Sequence, residues 1–320
     1  MSDQSGAADA ISHAHAYPPL PTGMDPRTIN DDVLREHGLP GRPDPRLQPR
    51  LLRRWNLIMA RPTQFIRADL AIDPVMTERH RRRDAFTPDG WGGVVRLGAV
   101  GAADYSFPAT MVFGEIVVPE VLGVAPDGPD LTIGFWVGLD GYAGEGQQVL
   151  QAGVAATVTQ GWFSNSVNYW AWTEWYTGEY QSPAVKVQNL PVAPGDTVSV
   201  LVTANGPGDG SVFFRNSRTG LGTAVAIGQP PDIVSAGLST EWIVEAVDEY
   251  LPLFEPVTFT NCWAGSLIEG ASEGFTLTPD TVTTEITGPL WGTGPVGDLT
   301  DTELISPTAA QVKEVAMDWF

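Results

Sequence analysis

Between residues 90 and 265 the chain is interrupted at short intervals by Gly, Pro, Asn and Asp clusters, and the runs between them are β-branched and aromatic. Asn205-Gly206-Pro207-Gly208-Asp209-Gly210, for example, separates two such runs. Residues of this kind supply turn dihedrals and break regular structure, so only short elements fit between them. Val198, Val200 and Val202 alternate with Ser199, Leu201 and Thr203, which is the two-residue period of a strand. The expected strands are 94–98, 109–118, 131–140, 148–160, 166–176, 197–204, 211–216, 221–228, 240–246 and 256–261. No helix of ordinary length is expected in this part before residue 305, and no fixed repeat period appears. An all-β, two-sheet antiparallel β-sandwich fits this pattern.

Composition agrees. The 320 residues include 35 Gly and 27 Pro, 42% are hydrophobic and 18% charged, which excludes global disorder and favours a turn-rich core. A net charge of -20 disfavours nucleic acid as a partner. No run of 18 apolar residues occurs, so no membrane-spanning helix is expected. Residues 1–20 lack the basic and apolar regions of a classical secretion signal, which leaves the compartment open. The single cysteine, Cys262, excludes an internal disulfide and a Cys-cluster zinc site.

The charge is divided unevenly. Residues 1–96 hold 14 Arg and 12 acidic residues, whereas 97–320 hold 26 acidic residues and four cations: Lys186, Arg215, Arg218 and Lys313. The boundary is expected near 84–90, with 1–84 a basic pro-segment or docked arm and 85–320 the sandwich domain. The first part is Pro/Arg-rich and reads as partly helical. Asn30 to His37 is a short helix stopped by Gly38 and Pro40. Asp44-Pro45 reads as the start of a second helix, with Leu47, Leu51, Leu52, Trp55 and Ile58 on one side, Arg46, Arg50, Arg53 and Arg54 on the other, ending before Pro62. The run Arg79-His80-Arg81-Arg82-Arg83 reads as a cuttable linker or a contact with the acidic part, rather than a nucleic-acid patch.

Several chemistries are excluded. All four histidines lie at or before His80, so the sandwich cannot hold a Ser-His-Asp or Cys-His site or a His-based metal centre. A Ser-Lys site would need Lys186 or Lys313, with nothing nearby to support it. No phosphate-binding loop and no Asp-Thr-Gly or Asp-Ser-Gly pair occurs. Carboxylates, amides, hydroxyls and backbone donors remain, and no metal or cofactor is expected. In the strand 166–176, Trp170, Trp172, Glu174 and Tyr176 share one face, and Tyr169, Ala171, Thr173 and Trp175 the other. One face suits a core; the other suits a cleft for an extended polymer, unless both are buried. Glu241 and Glu245 also share a face, roughly 13 Å apart at about 3.4 Å per residue. That is too far for a glycosidase pair, whose carboxyl groups lie about 5 Å or about 6.5–9.5 Å apart.

Six segments taken in order resemble the glutamic peptidases, or eqolisins, acid endopeptidases of peptidase A4 type. They are Trp91-Gly92-Gly93, Trp136-Val137-Gly138-Leu139-Asp140-Gly141, Leu150-Gln151-Ala152-Gly153-Val154, Trp172-Thr173-Glu174-Trp175-Tyr176, Glu241-Trp242-Ile243-Val244-Glu245 and Val257-Thr258-Phe259-Thr260-Asn261. The resemblance implies a concanavalin A-like jelly-roll sandwich and a metal-free endopeptidase acting on polypeptides at acid pH. It implies Gln151 and Glu241 as the catalytic pair: Glu241 activates water and then protonates the leaving amine, while Gln151 stabilises the oxyanion. Trp136, Trp172 and Tyr176 would bind substrate, and Asp140 and Glu174 would orient the pair. Family members are typically secreted, and the absence of disulfides suggests a bacterial-like member. Trp170 stands where the family often has an acid, and 286–320 matches poorly; its Val312, Val315, Ala316 and Trp319 read as a short helix or an added strand. The other readings of the residues are a carbohydrate-binding or glycan-cleaving sandwich and an inactive structural one.

Overall fold

Alternation along each strand gives every sheet one aliphatic face, and two such faces close on each other. The computed structural model describes residues 13–82, 90–97, 107–122, 130–142, 148–159, 161, 165–178, 183–248, 250–271, 275–277, 281–289 and 296–315. The front sheet has eight antiparallel strands in the order Val282–Thr284, Trp91–Leu97, Ser239–Ala246, Leu131–Leu139, Val149–Thr159, Ser166–Tyr176, Val185–Val187 and Leu70–Ile72. The rear sheet runs Ala14–Ala16, Leu221–Gly228, Asp209–Asn216, Thr197–Gly206, Met111–Val117, Val257–Gly265, Ala309–Glu314 and Thr300–Ser306. Phe275–Thr276 adds to its Val257 strand, and Gln64–Phe65 pairs in parallel with its Leu221 strand. The two-sheet antiparallel sandwich is the architecture, with strand limits close to those expected.

Between the sheets lie Val94, Val137, Leu139, Leu150, Val154, Trp175 and Val244 from the front, and Val112, Ile116, Val200, Val212, Phe214 and Val225 from the rear. Trp242 crosses the gap and donates its Nε1–H to the Phe113 carbonyl at 2.9 Å. Gly114 makes room for it: a Cβ there would meet Trp242 Cδ1 and Val137 Cγ1 at 2.8 Å. Cys262 is buried and unpaired, and burial pushes its thiol pKa well up, away from the reactive thiolate.

The N-terminal segment wraps both outer faces. Helix α1 (Asp31–Glu36) is capped by Asn30, whose side chain accepts from Val33 N–H, and ends at Gly38 with φ 67°. Helix α2 (Pro49–Met59) begins later than the sequence suggests. Asp44 Oδ1 accepts from the Arg46 and Leu47 N–H groups and caps a turn instead, so Pro49 takes the first helical position. Leu47 is consequently exposed, while Leu51, Trp55, Ile58 and Met59 are buried. With Leu34 these pack on Met111, Phe113, Leu201, Phe213 and Trp263 of the rear sheet's outer face. Helix α3 (Pro74–Arg82) follows the front edge strand Leu70–Ile72. The side chains of Arg79 to Arg82, with Arg83 and most of the 84–90 boundary, lie outside the described residues. At the other end, Thr300–Ser306 and Ala309–Glu314 form a hairpin on the rear sheet, so Val312 belongs to an added strand; Ala316 and Trp319 lie outside the described residues. Among the described residues, no helix is long and apolar enough to cross a membrane.

Candidate active site

One row of register partners crosses the front sheet: Glu174, Gln151, Gly138, Glu241 and Val95. Side chains in one row of an antiparallel sheet point to the same face. This face is the outer one, because the alternate residues Ala152, Leu139 and Trp242 fill the sandwich interior. Gln151 and Glu241 sit on either side of Gly138, two strand spacings or about 10 Å apart at Cα. Gly138 has no side chain, and Trp136 and Val149 pack over it. A Cβ there would meet Trp136 Cζ3 at 2.9 Å and Val149 Cγ2 at 3.2 Å.

Trp136, Val149, Trp170 and Trp172 share the face with Met76, Trp91 and Ile243 in a separate apolar cluster, and Tyr142 and Tyr176 are half-buried against it. Trp170, Trp172 and Tyr176 thus lie on one side of their strand, and Ala171 and Trp175 in the core on the other. Thr173 Oγ1 holds the Gln151 strand by donating to the Gln151 carbonyl at 2.9 Å.

Gln151 donates one Nε2 hydrogen to Glu174 Oε2 at 3.2 Å, which leaves its second N–H. Asp140 ends its strand with φ 69°, followed by Gly141 at φ 109°. Its carboxylate accepts from Ser235 Oγ at 2.7 Å and from Leu238 N–H at 2.8 Å. Glu241 differs from both. It is 0% exposed, and among the described residues neither carboxylate oxygen meets a donor in hydrogen-bond geometry; nor does Gln151 Oε1. Burial pushes the Glu241 pKa well above its ordinary 4.5, the Asp140 charge adds to the rise, and Ser239 opposes it. A carboxyl in this setting holds its proton to higher pH than an exposed one does.

Sequence reasoning missed what covers the face. Met76 of α3 packs into the Trp136–Trp172 cluster; a Cβ on Gly134 would meet Trp136 Cδ1, Trp172 Cζ2 and Met76 Cε within 3.9 Å. Asp73 caps α3 through Val75 and Met76 N–H and pairs with Lys186 Nζ at 3.0 Å. Lys186 also lies 3.8 Å from the Trp170 ring centroid, a cation over the residue that stands where the resemblance puts an acid. The Asp73-Pro74 dipeptide carries a readable helix-start signal, but nothing local says which surface the helix meets. Among the described residues, no three His, Cys, Asp or Glu side chains converge as a metal-binding group.

The outer face of the front sheet thus carries the Gln151 amide and the buried Glu241 carboxyl on either side of Gly138, beside a cluster of buried tryptophans. The family follows from comparison with known proteins. The model of the peptidase A4 family matches residues 90–286. Aspergillopepsin-2 of Aspergillus niger is 28% identical over 214 residues, which cover 60% of this chain and 68% of that protein. Two solved structures share the fold at 22% identity, each covering 71% of this chain and 98% of its own. They are scytalido-glutamic peptidase with a transition state analog inhibitor, at a TM-score of 0.53, and SCP-B, a member of the eqolisin family, with the tripeptide Ala-Ile-His, at 0.50. The chain belongs to the peptidase A4 family of glutamic peptidases and is a hydrolase of peptide bonds.

Proposed function

We propose that this chain is an endopeptidase that works in acid through Gln151 and Glu241. The observation that carries the reading is the pair facing each other across Gly138, with both Glu241 oxygens left without a donor. Glu241, ionised once water enters, takes a proton from the attacking water and returns it to the leaving amine. A group that both takes and gives a proton works best near its own pKa, and water entering with substrate relieves the burial and returns the Glu241 pKa toward its ordinary, acid value. Gln151 turns its second N–H to the developing oxyanion, held by Glu174 through its first. Asp140 orients the Glu241 side and raises its proton affinity. Trp136, Trp172 and Tyr176 pack against the polypeptide.

We further propose that residues 1–84 are a docked arm with two halves. The part up to Phe65 completes the rear face, and α3 closes the front by seating Met76 on the substrate tryptophans. Acid cleavage of a peptide or unfolded protein by the full chain, Glu241→Gln and Gln151→Ala tests the dyad. Both variants should be nearly silent; full activity in both overturns the assignment.

A further inference from the structure

Glu245 shares the catalytic face with Glu241 yet has no part in the dyad. It lies in register with Gly134 on one side and Trp91 on the other, and is buried. Its Oε2 accepts the indole Nε1–H of Trp136 at 3.0 Å. The Trp136 ring lies lengthwise along its own strand, because glycines stand two residues to either side. A Cβ on Gly134 would come within 3.5 Å of Cδ1, and one on Gly138 within 2.9 Å of Cζ3 and 3.3 Å of Cε3. The five-membered ring therefore points toward Gly134 and Glu245. The six-membered ring borders Gly138, the gap between Gln151 and Glu241. Laterally its register partners are Gly153, which has no side chain, and the buried Ile243, and Trp91 meets the ring edge-on at 4.9 Å. A terminal sp³–sp² torsion is broad and roughly two-fold. Glycines make room for the ring, the surrounding side chains pack it, and the Nε1–H bond ties its five-membered edge to Glu245.

We propose that Glu245 is a positioning residue for the peptidase reaction. Acting through Trp136 Nε1, it fixes which edge of the indole floors the gap where the scissile carbonyl sits. The inference rests on the Gln151–Glu241 reading above. A misplaced floor costs alignment in the transition state, so the effect should fall on kcat more than on KM.

The experiment uses the full chain and peptide cleavage at acid pH, with melting curves to confirm folding. Glu245→Leu removes the acceptor and should lower kcat/KM roughly tenfold or more. Glu245→Gln restores an acceptor oxygen and should recover activity to within about threefold of wild type. In a Trp136→Phe background, which has no indole N–H, Glu245→Leu should cost less than about twofold more. The Trp136 indole N–H signal in NMR should be protected from exchange in wild type and Glu245→Gln and lose protection in Glu245→Leu. Equal losses in the Gln and Leu variants, or an undiminished Leu effect in the Phe background, overturn this inference alone. If the Leu variant does not fold, Glu245→Gln and Trp136→Phe carry the comparison, and additive losses overturn it. Absence of cleavage by wild type removes the dyad reading and this inference with it.

Discussion

Glu115 and Glu241 occupy matching places on the two outer faces of the sandwich, each on a strand within its sheet and each buried. Their chemistry is opposite. Burial alone would raise the Glu115 pKa, but Arg61 and Asn261 donate to its carboxylate, Ser199 donates as well, and the net result is a pKa below the ordinary value. At Glu241 only the Ser239 hydroxyl opposes burial, and it stands outside strict hydrogen-bond geometry, so burial wins and its pKa rises. A buried carboxylate ringed by donors is spent on holding the fold together. One left without them keeps a proton it can give away. Arg61 comes from the N-terminal segment, so that segment supplies the cation paired with Glu115, while Asn261 and Ser199 of the sandwich supply the remaining donors.

The sharpest way to break this comparison is to give both glutamates the same substitution. Glu241→Gln should lower kcat by on the order of 10²–10⁴, the usual worth of a positioned general acid–base group, and Gln151→Ala by about 10²–10³. Glu115→Gln should leave kcat of the folded molecules near wild type and lower stability instead. Steady-state cleavage alongside urea unfolding separates the two, and a silent Glu115→Gln that is fully folded would erase the distinction.

The next effect is on the rear face. Arg61→Leu strands a buried carboxylate. It should destabilise by roughly 2–3 kcal/mol at pH 7, a figure reduced from that of a fully buried pair because the Arg61 side chain is 28% exposed. Glu115 has a lowered pKa, so its stabilisation is complete above its unfolded value near 4.5 and is lost as pH falls through the lower folded value. Urea midpoints of Arg61→Leu and wild type should therefore converge only below about pH 4.5. Above that pH the Arg61–Glu115 pair helps to hold the N-terminal segment on the rear face.

On the front, the cover rests on a few apolar contacts and the Asp73–Lys186 pair. Burying a Met side chain is worth about 1.5–3 kcal/mol. Met76→Asp removes most of that and should shorten, severalfold, any lag between acidification and cleavage; a progress curve identical to wild type would detach α3 from the site. The smallest effect is on melting. Because the folded Glu241 pKa is raised, wild type loses stability as pH rises from about 4.5 toward the folded value. Glu241→Gln escapes that loss, so its melting temperature should exceed that of wild type at pH 7, with the gap closing toward pH 4.5. A gap that widens in acid would contradict the assignment of Glu241 as the unsatisfied carboxyl.

Where a segment's own pattern carries the signal, the sequence was enough. The strands 166–176 and 221–228 fall where alternation and turn residues put them, as do α1 and its Asn30 cap. The start of α2 was misread because Asp44-Pro45 and Gln48-Pro49 both look like a helix entrance. Gln48 resolves it by donating its Nε2 to the Ser266 carbonyl, a partner 218 residues away. The stretch after residue 305 read as helix or strand because apolar spacing over so short a run fits both. Pairing of Val257 with Val312 decides it.

For the site, the residue types themselves ruled out Ser-His-Asp and Cys-His sites and His- or Cys-based metal centres in the sandwich, and the ordered motifs singled out Gln151 and Glu241. That those two fall in one row on either side of Gly138 depends on three strands locking in one register, a non-local pairing that no local stretch encodes. The burial that raises the Glu241 pKa and the donors that lower that of Glu115 come from residues tens to more than a hundred positions away. Composition supplied two glutamates of the same chemistry. Only tertiary packing, by choosing which one receives hydrogen-bond donors, lowered the pKa of one and raised that of the other.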